Sequence, residues 1–486
     1  MQTRYVATDT AKVYLTPTSK SPQRELLWGD RVRFDPATSL ENGRLKVTAR
    51  GLPGYMFPAD LGDTSLLELY FIDVGQGDGV LIRTPDDRHL LIDGGYNRLK
   101  QPTGKNAADF VDWKFTRDYG QSKITLDAMI VSHNDADHYG GLWDLLNPAG
   151  RAELQARAVA VNKLYTAGVG WFTNGTTRSL GRTATSNKQK FLVDLVHDRA
   201  ALLAYLDPQA NPRFQGEWAD FMRCVAESGC PVQRLSDRTA WLEGFEPGSG
   251  AVSIRVLGPV ETTVGAKKQS GLRWLGSASQ STNGNSLLLR VDYGRTRMLL
   301  TGDLNAAAQA DLLAQFAGRR QEFACDIAKA CHHGSDDCSV EFLRALSPGA
   351  TVISSGDSEG HGHPRPAIVA ASALTGHVQT ENDRLVTPLI YSTEIARSYR
   401  LGEVRAVEKR GAGSVGALKE LVAQIEETSS GALNPTRKTR PLAGARLVSG
   451  VVYGLVNVRT DGRKLLCATL NEADRTWDVR TFNSRF

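Results

Sequence analysis

Residues 130–142 read Ile130-Val131-Ser132-His133-Asn134-Asp135-Ala136-Asp137-His138-Tyr139-Gly140-Gly141-Leu142. An apolar run, Ala128-Met129-Ile130-Val131, stops at Ser132, and four metal-capable side chains follow within six residues: His133, Asp135, Asp137 and His138. Leu142, Trp143, Leu145 and Leu146 then recur at helical spacing. The pattern predicts a buried strand, a polar turn and the start of a helix. A turn at the end of a strand can aim several side chains at one point, which a metal site requires. Imidazole nitrogen with carboxylate oxygen suits zinc, manganese or iron, and the lack of cysteine argues against a closed structural zinc site. Taken alone, the turn would pass for a solvated acidic loop with two incidental histidines.

Matching pieces elsewhere argue against that. Phe71-Ile72-Asp73-Val74-Gly75-Gln76-Gly77-Asp78 and Leu90-Leu91-Ile92-Asp93-Gly94-Gly95 precede the turn. Asn283-Gly284-Asn285-Ser286-Leu287, Leu299-Leu300-Thr301-Gly302-Asp303, His332-His333-Gly334-Ser335 and Gly362-His363-Pro364 follow it. Six of the nine histidines fall in three short stretches, as His133 and His138, His332 and His333, and His361 and His363, which scattered core histidines would not do. The set resembles the metallo-β-lactamase-fold hydrolases, with Asp135 where the common signature has a second histidine. In that form it resembles the soluble hydrolase domain of the ComEC competence (DNA-uptake) proteins. The departure hardens the site toward oxygen ligands and makes manganese as suitable as zinc. A second departure lies at Asn285, where many relatives carry a histidine ligand.

The resemblance implies an α/β fold, an αββα sandwich of two halves with metals at the strand ends. It implies two divalent ions, zinc or manganese, held by His133, Asp135, Asp137, His138, Asp303 and one of His332 and His333, with Asp303 bridging. Asp93 would orient the histidine turn. His363 would contact phosphate or protonate a leaving group. Asp137, Asp93 and His363 are the expected catalytic set, and Asn285 and Ser286 the expected phosphate donors. The expected chemistry is in-line attack on phosphorus by a hydroxide activated between two cations about 3.5–4 Å apart. The substrate class implied is DNA, the alternative a small phosphodiester of the kind taken by the similar phosphorylcholine esterases. A partner-binding module with a degenerate hydrolase domain is a third reading, opposed by the intact ligand set.

The rest of the 486 residues bounds these readings. Two or three domains are expected at this length. A formal charge of +5 permits an anionic substrate without demanding one. The six cysteines form no C-x-x-C pair and read as reduced, mostly buried thiols. The first residues show no apolar signal core, and no run approaches the ~18 apolar residues of a membrane span, so a cytoplasmic protein without membrane contact is expected. Gly75 to Gly79 is not followed by G-K-[ST], which excludes a nucleotide P-loop.

Residues 1–64 alternate apolar and polar side chains between turn signals and resemble a bacterial SH3-like barrel. No ligand motif lies there, so the unit is expected to be dispensable for chemistry and to dock a protein or peptide partner. Residues 65–430 are assigned to the hydrolase domain, with a mostly helical insertion at about 151–246 in which Phe191–Val196 and Arg199–Leu206 are the clearest helices. Ala417–Ile425 reads as helix, 428–440 as a linker and 441–486 as a C-terminal β-meander. Two basic-aromatic stretches are expected to rim the cleft: Lys100 to Lys123, where Lys114 and Arg117 would meet nucleic-acid phosphates, and Lys267 to Trp274. The first of these reads equally as an amphipathic helix docked on the core.

Overall fold

The computed structural model describes the chain apart from residues 102–103, 175–176, 267, 357–361, 395–403, 410–420, 429–436, 443–453 and 472–475. Two sheets face each other. The first has nine strands in the order Val232–Arg234, Leu164–Thr166, Ala128–Val131, His89–Ile92, Val80–Arg83, Leu67–Phe71, Val456–Thr460, Lys464–Asn471 and Thr476–Asn483. The second has six: Val252–Gly258, Leu288–Tyr293, Thr296–Leu300, Ile327–Lys329, Ala350–Ile353 and Leu389–Ser392.

The period of two along each strand sends alternate side chains to opposite faces. Leu67, Leu69 and Phe71 meet Ile254, Val256, Leu289 and Met298 between the sheets, whereas Tyr70 points outward. Helices Ala107–Trp113, Ala136–Leu146 and Gly216–Glu227 cover the outer face of the first sheet, and Ala306–Gln315 and Val340–Leu346 that of the second. This is an α/β sandwich of four layers. Strands ending at Ile92, Val131 and Thr166 run parallel, as do those ending at Leu300, Lys329 and Ile353. Their carboxyl ends release Asp93, the His133 turn, Asp303 and the His332-His333 turn, and clefts at such ends are where open α/β sheets bind ligands.

Residues 2–62 form a five-stranded sheet and a hairpin around a core of their own that includes Val6, Val13, Leu26, Val32, Val47 and Met56. This unit is joined to the last strands. Asp30 and Arg459 pair at 2.8 Å, both side chains almost fully buried, and Leu27 packs on Leu466 and Ala468. The three C-terminal strands do not stand apart as a module. They extend the first sheet through pairing of Val456–Thr460 with Leu67–Phe71.

The stretch from 151 to 246 departs from the helical expectation. Its helices among the described residues are Arg199–Leu206, Gly216–Glu227 and one turn at Asp237–Thr239, set among eight short strands. Two of those strands belong to the central sheet, so the segment carries core as well as insertion. Gln189–Leu192 is a strand and Val193 to Val196 continue without helix, which corrects the helix read over Phe191–Val196. A short apolar run has no periodicity that separates buried strand from buried helix. Leu421–Thr428 is likewise a strand rather than a helix, and Arg437–Leu442 a strand where a linker was expected. Among the described residues, no helix is long and apolar enough to cross a membrane.

Candidate metal centre

The His133 turn is held from the neighbouring strand. Asp93 adopts φ 57°, a left-handed conformation costly for a non-glycine residue and found mainly where function fixes the backbone. That conformation turns its carboxylate toward the adjacent strand end. Asp93 Oδ1 accepts the Ser132 amide at 2.7 Å, and Oδ2 lies 2.9 Å from His138 Nδ1. A proton on Nδ1 donated to Asp93 leaves the His138 Nε2 lone pair facing inward. Tyr139-Gly140-Gly141 has a steric reason. A Cβ on Gly141 would collide with the Gly94 carbonyl, and one on Gly140 with the backbone of Tyr96 and Asn97. Glycine in both places lets the helix sit directly on the loop after Asp93.

Asp303 is the centre of the cluster. Its Oδ2 lies 3.1 Å from His333 Nε2, 3.3 Å from His138 Nε2, 3.8 Å from His332 Nε2 and 4.0 Å from His133 Nε2. Asp303 is not consumed as a helix cap, because Asn305 caps the following helix through the Ala308 amide. His133 Nδ1 faces Ser132 Oγ at 3.0 Å and Ser286 Oγ at 3.2 Å, so its Nε2 also points inward. His332 and His333 both adopt left-handed φ, 46° and 53°. They are not equivalent. His333 is buried, its Nδ1 lies 3.2 Å from the Ser354 carbonyl, and its Nε2 faces Asp303 and, at 3.7 Å, Asp137. His332 is more exposed, and its Nε2 meets the Asn283 amide at 3.3 Å.

Asp78 joins the cluster without having been assigned a role from sequence. The residue closes the Gly75–Gly79 turn and lies 3.2 Å from His333 Nδ1. The Ser354 carbonyl takes the directed hydrogen bond from that nitrogen, so the approach of Asp78 is chiefly electrostatic. Its other oxygen pairs with the Lys329 ammonium, which also donates to the Gly302 carbonyl at 2.9 Å and lies 3.6 Å from Asp303 Oδ1. Lys329 is 2 % exposed, a placement open to a lysine only when it is paired. The sequence signal was present, an aspartate in a glycine-rich turn and a lysine in an otherwise apolar strand before H-H-G-S.

Asp135 and Asp137 occupy the half-buried side of the turn. Asp135 Oδ2 is 3.7 Å from His133 Nε2, and Asp137 groups with His138 and His333. The His363 ring is buried, 5.6 Å from that of His332 and 6.3 Å from that of His333. Other expected residues lie elsewhere or are engaged. The Asn285 amide donates to the carbonyls of Arg273 at 2.9 Å and Ser281 at 2.6 Å, and Ser286 Oγ accepts the Asp303 amide at 3.0 Å. Both side chains are buried and serve the scaffold, which corrects the expectation of two free phosphate donors. Lys114 is also corrected. It is buried against the Tyr70 ring and paired with Asp118 at 2.6 Å. Arg117 is exposed, but its backbone abuts Gly51 of the N-terminal unit rather than the metal cluster. Of the second basic stretch, Lys267 lies outside the described residues, and Trp274 sits under the Lys190 ammonium.

The atoms around Asp303 fit a cation. His133 Nε2, His138 Nε2, His333 Nε2 and Asp303 Oδ1 are buried without a hydrogen-bond partner among the described residues, a costly state for polar atoms. Triads drawn from His133, His138, His333, Asp78, Asp137 and Asp303 each bring ligand atoms within 4.8 Å of one another. The charges agree. Burial favours neutral imidazole, yet Asp303 and Asp93 raise His138 well above its usual range, and Asp303 and Asp78 raise His333 to about 10. Burial would raise Asp303, but His333, His138 and His332 hold it well below the carboxylate range. Burial and then Asp137 push Asp135 up to about 7. A carboxylate cluster that draws protons onto its histidines offers a site for divalent cations in their place.

Residues 72–200 match the Metallo-beta-lactamase superfamily. The match takes in Asp78, Asp93 and the His133 turn but not Asp303 or His333, and it makes this part of the chain similar to a metallo-β-lactamase domain; the donors gathered at Asp303 are of a kind that suits a metal ion. Two curated relatives match short segments of the chain. The chain is 36% identical over 87 residues to "Competence protein ComA" of Neisseria gonorrhoeae, across 18% of this chain and 12% of that protein. It is 30% identical over 90 residues to "ComE operon protein 3" of Bacillus subtilis (strain 168), across 18% of this chain and 11% of that protein. The matched segments thus span little more than a tenth of either relative. Among solved structures, a point mutant of the CmlA beta-hydroxylase aligns with 60% of this chain and 46% of its own, at 11% identity and a TM-score of 0.27. That likeness is too slight to bear on function.

Proposed function

We propose that the chain is a phosphodiester hydrolase using two divalent metal ions, and that its substrate is DNA. The observation that carries this reading is the convergence of three bare imidazole Nε2 atoms and Asp303 on one buried point. His133, His138, His333 and Asp303 would hold the ions, with Asp135, Asp137 and Asp78 supplying further oxygen atoms. This donor set suits zinc or manganese. When bound, such ions lower the pKa of a water to near neutrality and neutralise charge on phosphoryl oxygens.

The chain's own groups do the rest. Asp93 and the Ser354 carbonyl fix which nitrogen of His138 and of His333 carries the proton. The Asp78–Lys329 pair sets the charge behind His333. His332 and His363 lie ring to ring at the edge of the cluster, and in this reading they would bind a phosphoryl oxygen or protonate the leaving oxygen.

DNA as substrate rests on the resemblance of the His133 turn and its companion motifs to the ComEC competence (DNA-uptake) proteins, a resemblance in keeping with the similarity to a competence protein. A second reading, a small phosphodiester, gains from the burial of Lys114, which removes one expected phosphate contact from the rim. In either case the N-terminal unit would serve as a docking surface for a protein or peptide in the cytoplasm. The deciding experiment is cleavage of single-stranded DNA, duplex DNA, RNA and bis(p-nitrophenyl) phosphate with manganese and with zinc. Turnover of DNA sustains the nuclease, and turnover of the chromogenic diester alone sustains the esterase. Inactivity on all four with both metals rejects phosphodiester hydrolysis.

A further inference from the structure

The segment after Leu164–Thr166 sends a hairpin back over the His133 turn. Its strands Phe172–Asn174 and Thr177–Ser179 pair with Thr173 opposite Arg178, and Phe172 is pinned by stacking on Phe214 at 5.1 Å. At the hairpin's base the Trp171 indole N–H donates to the Asn134 carbonyl at 2.8 Å. Asn134 is the residue between His133 and Asp135, so the hairpin is bonded to the metal-binding turn itself. The Arg178 guanidinium lies 3.7 Å from the centroid of the Trp171 ring, a cation–π stack that holds a long side chain in one place.

Arg178 is exposed and, among the described residues, makes no hydrogen bond or ion pair. Through its stack on Trp171 and the Trp171–Asn134 bond it stands beside the turn that carries His133 and Asp135. It is not among the atoms gathered at Asp303. The centre therefore has on its rim a rigid, planar five-donor cation with its hydrogen-bonding capacity unspent. Guanidinium is the side chain best matched to phosphate, and a stacked one loses little freedom on binding.

We propose that Arg178, carried on Trp171, binds the nucleic-acid phosphate next to the one held at the metal cluster. This rests on the phosphodiesterase reading and adds to it a contact that the hairpin supplies. A polymer then engages two points, the scissile phosphate at Asp303 and its neighbour at Arg178, whereas a small diester engages one.

The test compares the whole protein with its Arg178→Ala, Arg178→Lys and Trp171→Phe variants on a single-stranded oligodeoxynucleotide and on bis(p-nitrophenyl) phosphate. Metal content is measured throughout. Arg178→Ala should raise KM for the oligonucleotide at least tenfold with kcat within threefold, and the loss should be at least five times larger than on the small diester. The slope of log affinity against log salt should fall by about 0.7. Arg178→Lys should recover part of the affinity, because a point charge remains without the planar fork. Trp171→Phe keeps an aromatic face for Arg178 but loses the indole N–H bond to the Asn134 carbonyl, and should raise KM less than Arg178→Ala. Equal losses on both substrates, a fall in bound metal, or an unchanged KM would overturn the proposal. If the unmodified protein cleaves neither substrate, the phosphodiesterase reading fails by itself. The phosphate contact is then read from fluorescence anisotropy of a phosphorothioate oligodeoxynucleotide, where an Arg178-dependent salt slope sustains it and its absence overturns it.

Discussion

His333 Nδ1 lies 3.2 Å from Asp78 Oδ1, which joins the glycine-rich turn of the first half of the sandwich to the H-H-G-S turn of the second. Behind Asp78 stands Lys329, so His333 is backed by a buried ion pair. Removing one member of such a pair strands a charge at a cost of about 3–5 kcal/mol, whereas removing both is far milder. Asp78→Asn and Lys329→Met should each destabilise strongly. The double variant should recover much of the stability while remaining impaired in metal binding. Urea midpoints for the four proteins check this, and additive single effects would refute the coupling.

Asp303→Ala takes away the oxygen on which four imidazoles converge. Bound metal should fall to a small fraction of the unmodified level and hydrolysis by at least about a thousandfold, a scale consistent with removing charge stabilisation from a transition state. Metal analysis and turnover are the measurements. Full metal content with normal turnover would show that the centre lies elsewhere.

Lys114 and Arg117, three residues apart, should behave oppositely to a shared phosphate-binding role. Lys114→Ala leaves Asp118 buried without its cation and should cost about 3–5 kcal/mol. Arg117→Ala should stay within about 0.5 kcal/mol. Neither should alter the salt dependence of DNA binding, which filter binding at several salt concentrations would reveal.

Asp30→Ala should destabilise the sandwich as well as the N-terminal unit, because Arg459 would remain buried without its partner, again about 3–5 kcal/mol. Burial raises the Asp30 carboxyl, but Arg459 and Arg50 more than reverse that and hold it well below the usual range. Its stabilising effect is present above the unfolded carboxylate pKa and is lost as pH falls through the lower folded value. Hydrogen exchange at Val456–Thr460 reads the effect locally. Unchanged protection in Asp30→Ala would mean that the two units are energetically independent.

His89 is buried against Phe115 and Tyr119, and burial pushes its imidazole down to about 4 although Asp87 opposes the shift. An unfolded chain takes up this proton near pH 6.5, and the folded one not until about 4. Stability should therefore decline as pH drops through that window, by about 3 kcal/mol in all, and this contribution should level off below it. In His89→Phe the decline should be shallower by that amount. Parallel urea-midpoint curves for the two proteins between pH 4 and 7 would rule the effect out.

The sequence by itself determined what is local. The donors of H-N-D-A-D-H lie within one turn of chain, and the apolar runs before Asp93, His133, Asp303 and His332, each stopped by a polar or glycine-rich turn, read as buried strands, so the four strand ends that meet at the candidate site were legible. Helix Arg199–Leu206 was legible because it spans enough residues for its period to appear. The tertiary structure alone decided what depends on partners distant in the chain. Asp78 was one acidic residue in a turn until the second sheet brought His333 and Lys329 to it. His332 and His333 were alike until their strained backbones sent one inward and left the other at the edge. Lys114 carried the same charge as a phosphate-binding lysine, and only its placement over Tyr70 beside Asp118 shows that the charge is spent inside the protein. Strand Val456–Thr460 found its neighbour Leu67–Phe71 nearly four hundred residues earlier in the chain. A residue's type fixes which interactions it can make, but burial and partner are set by pairings across the sandwich that no local periodicity records.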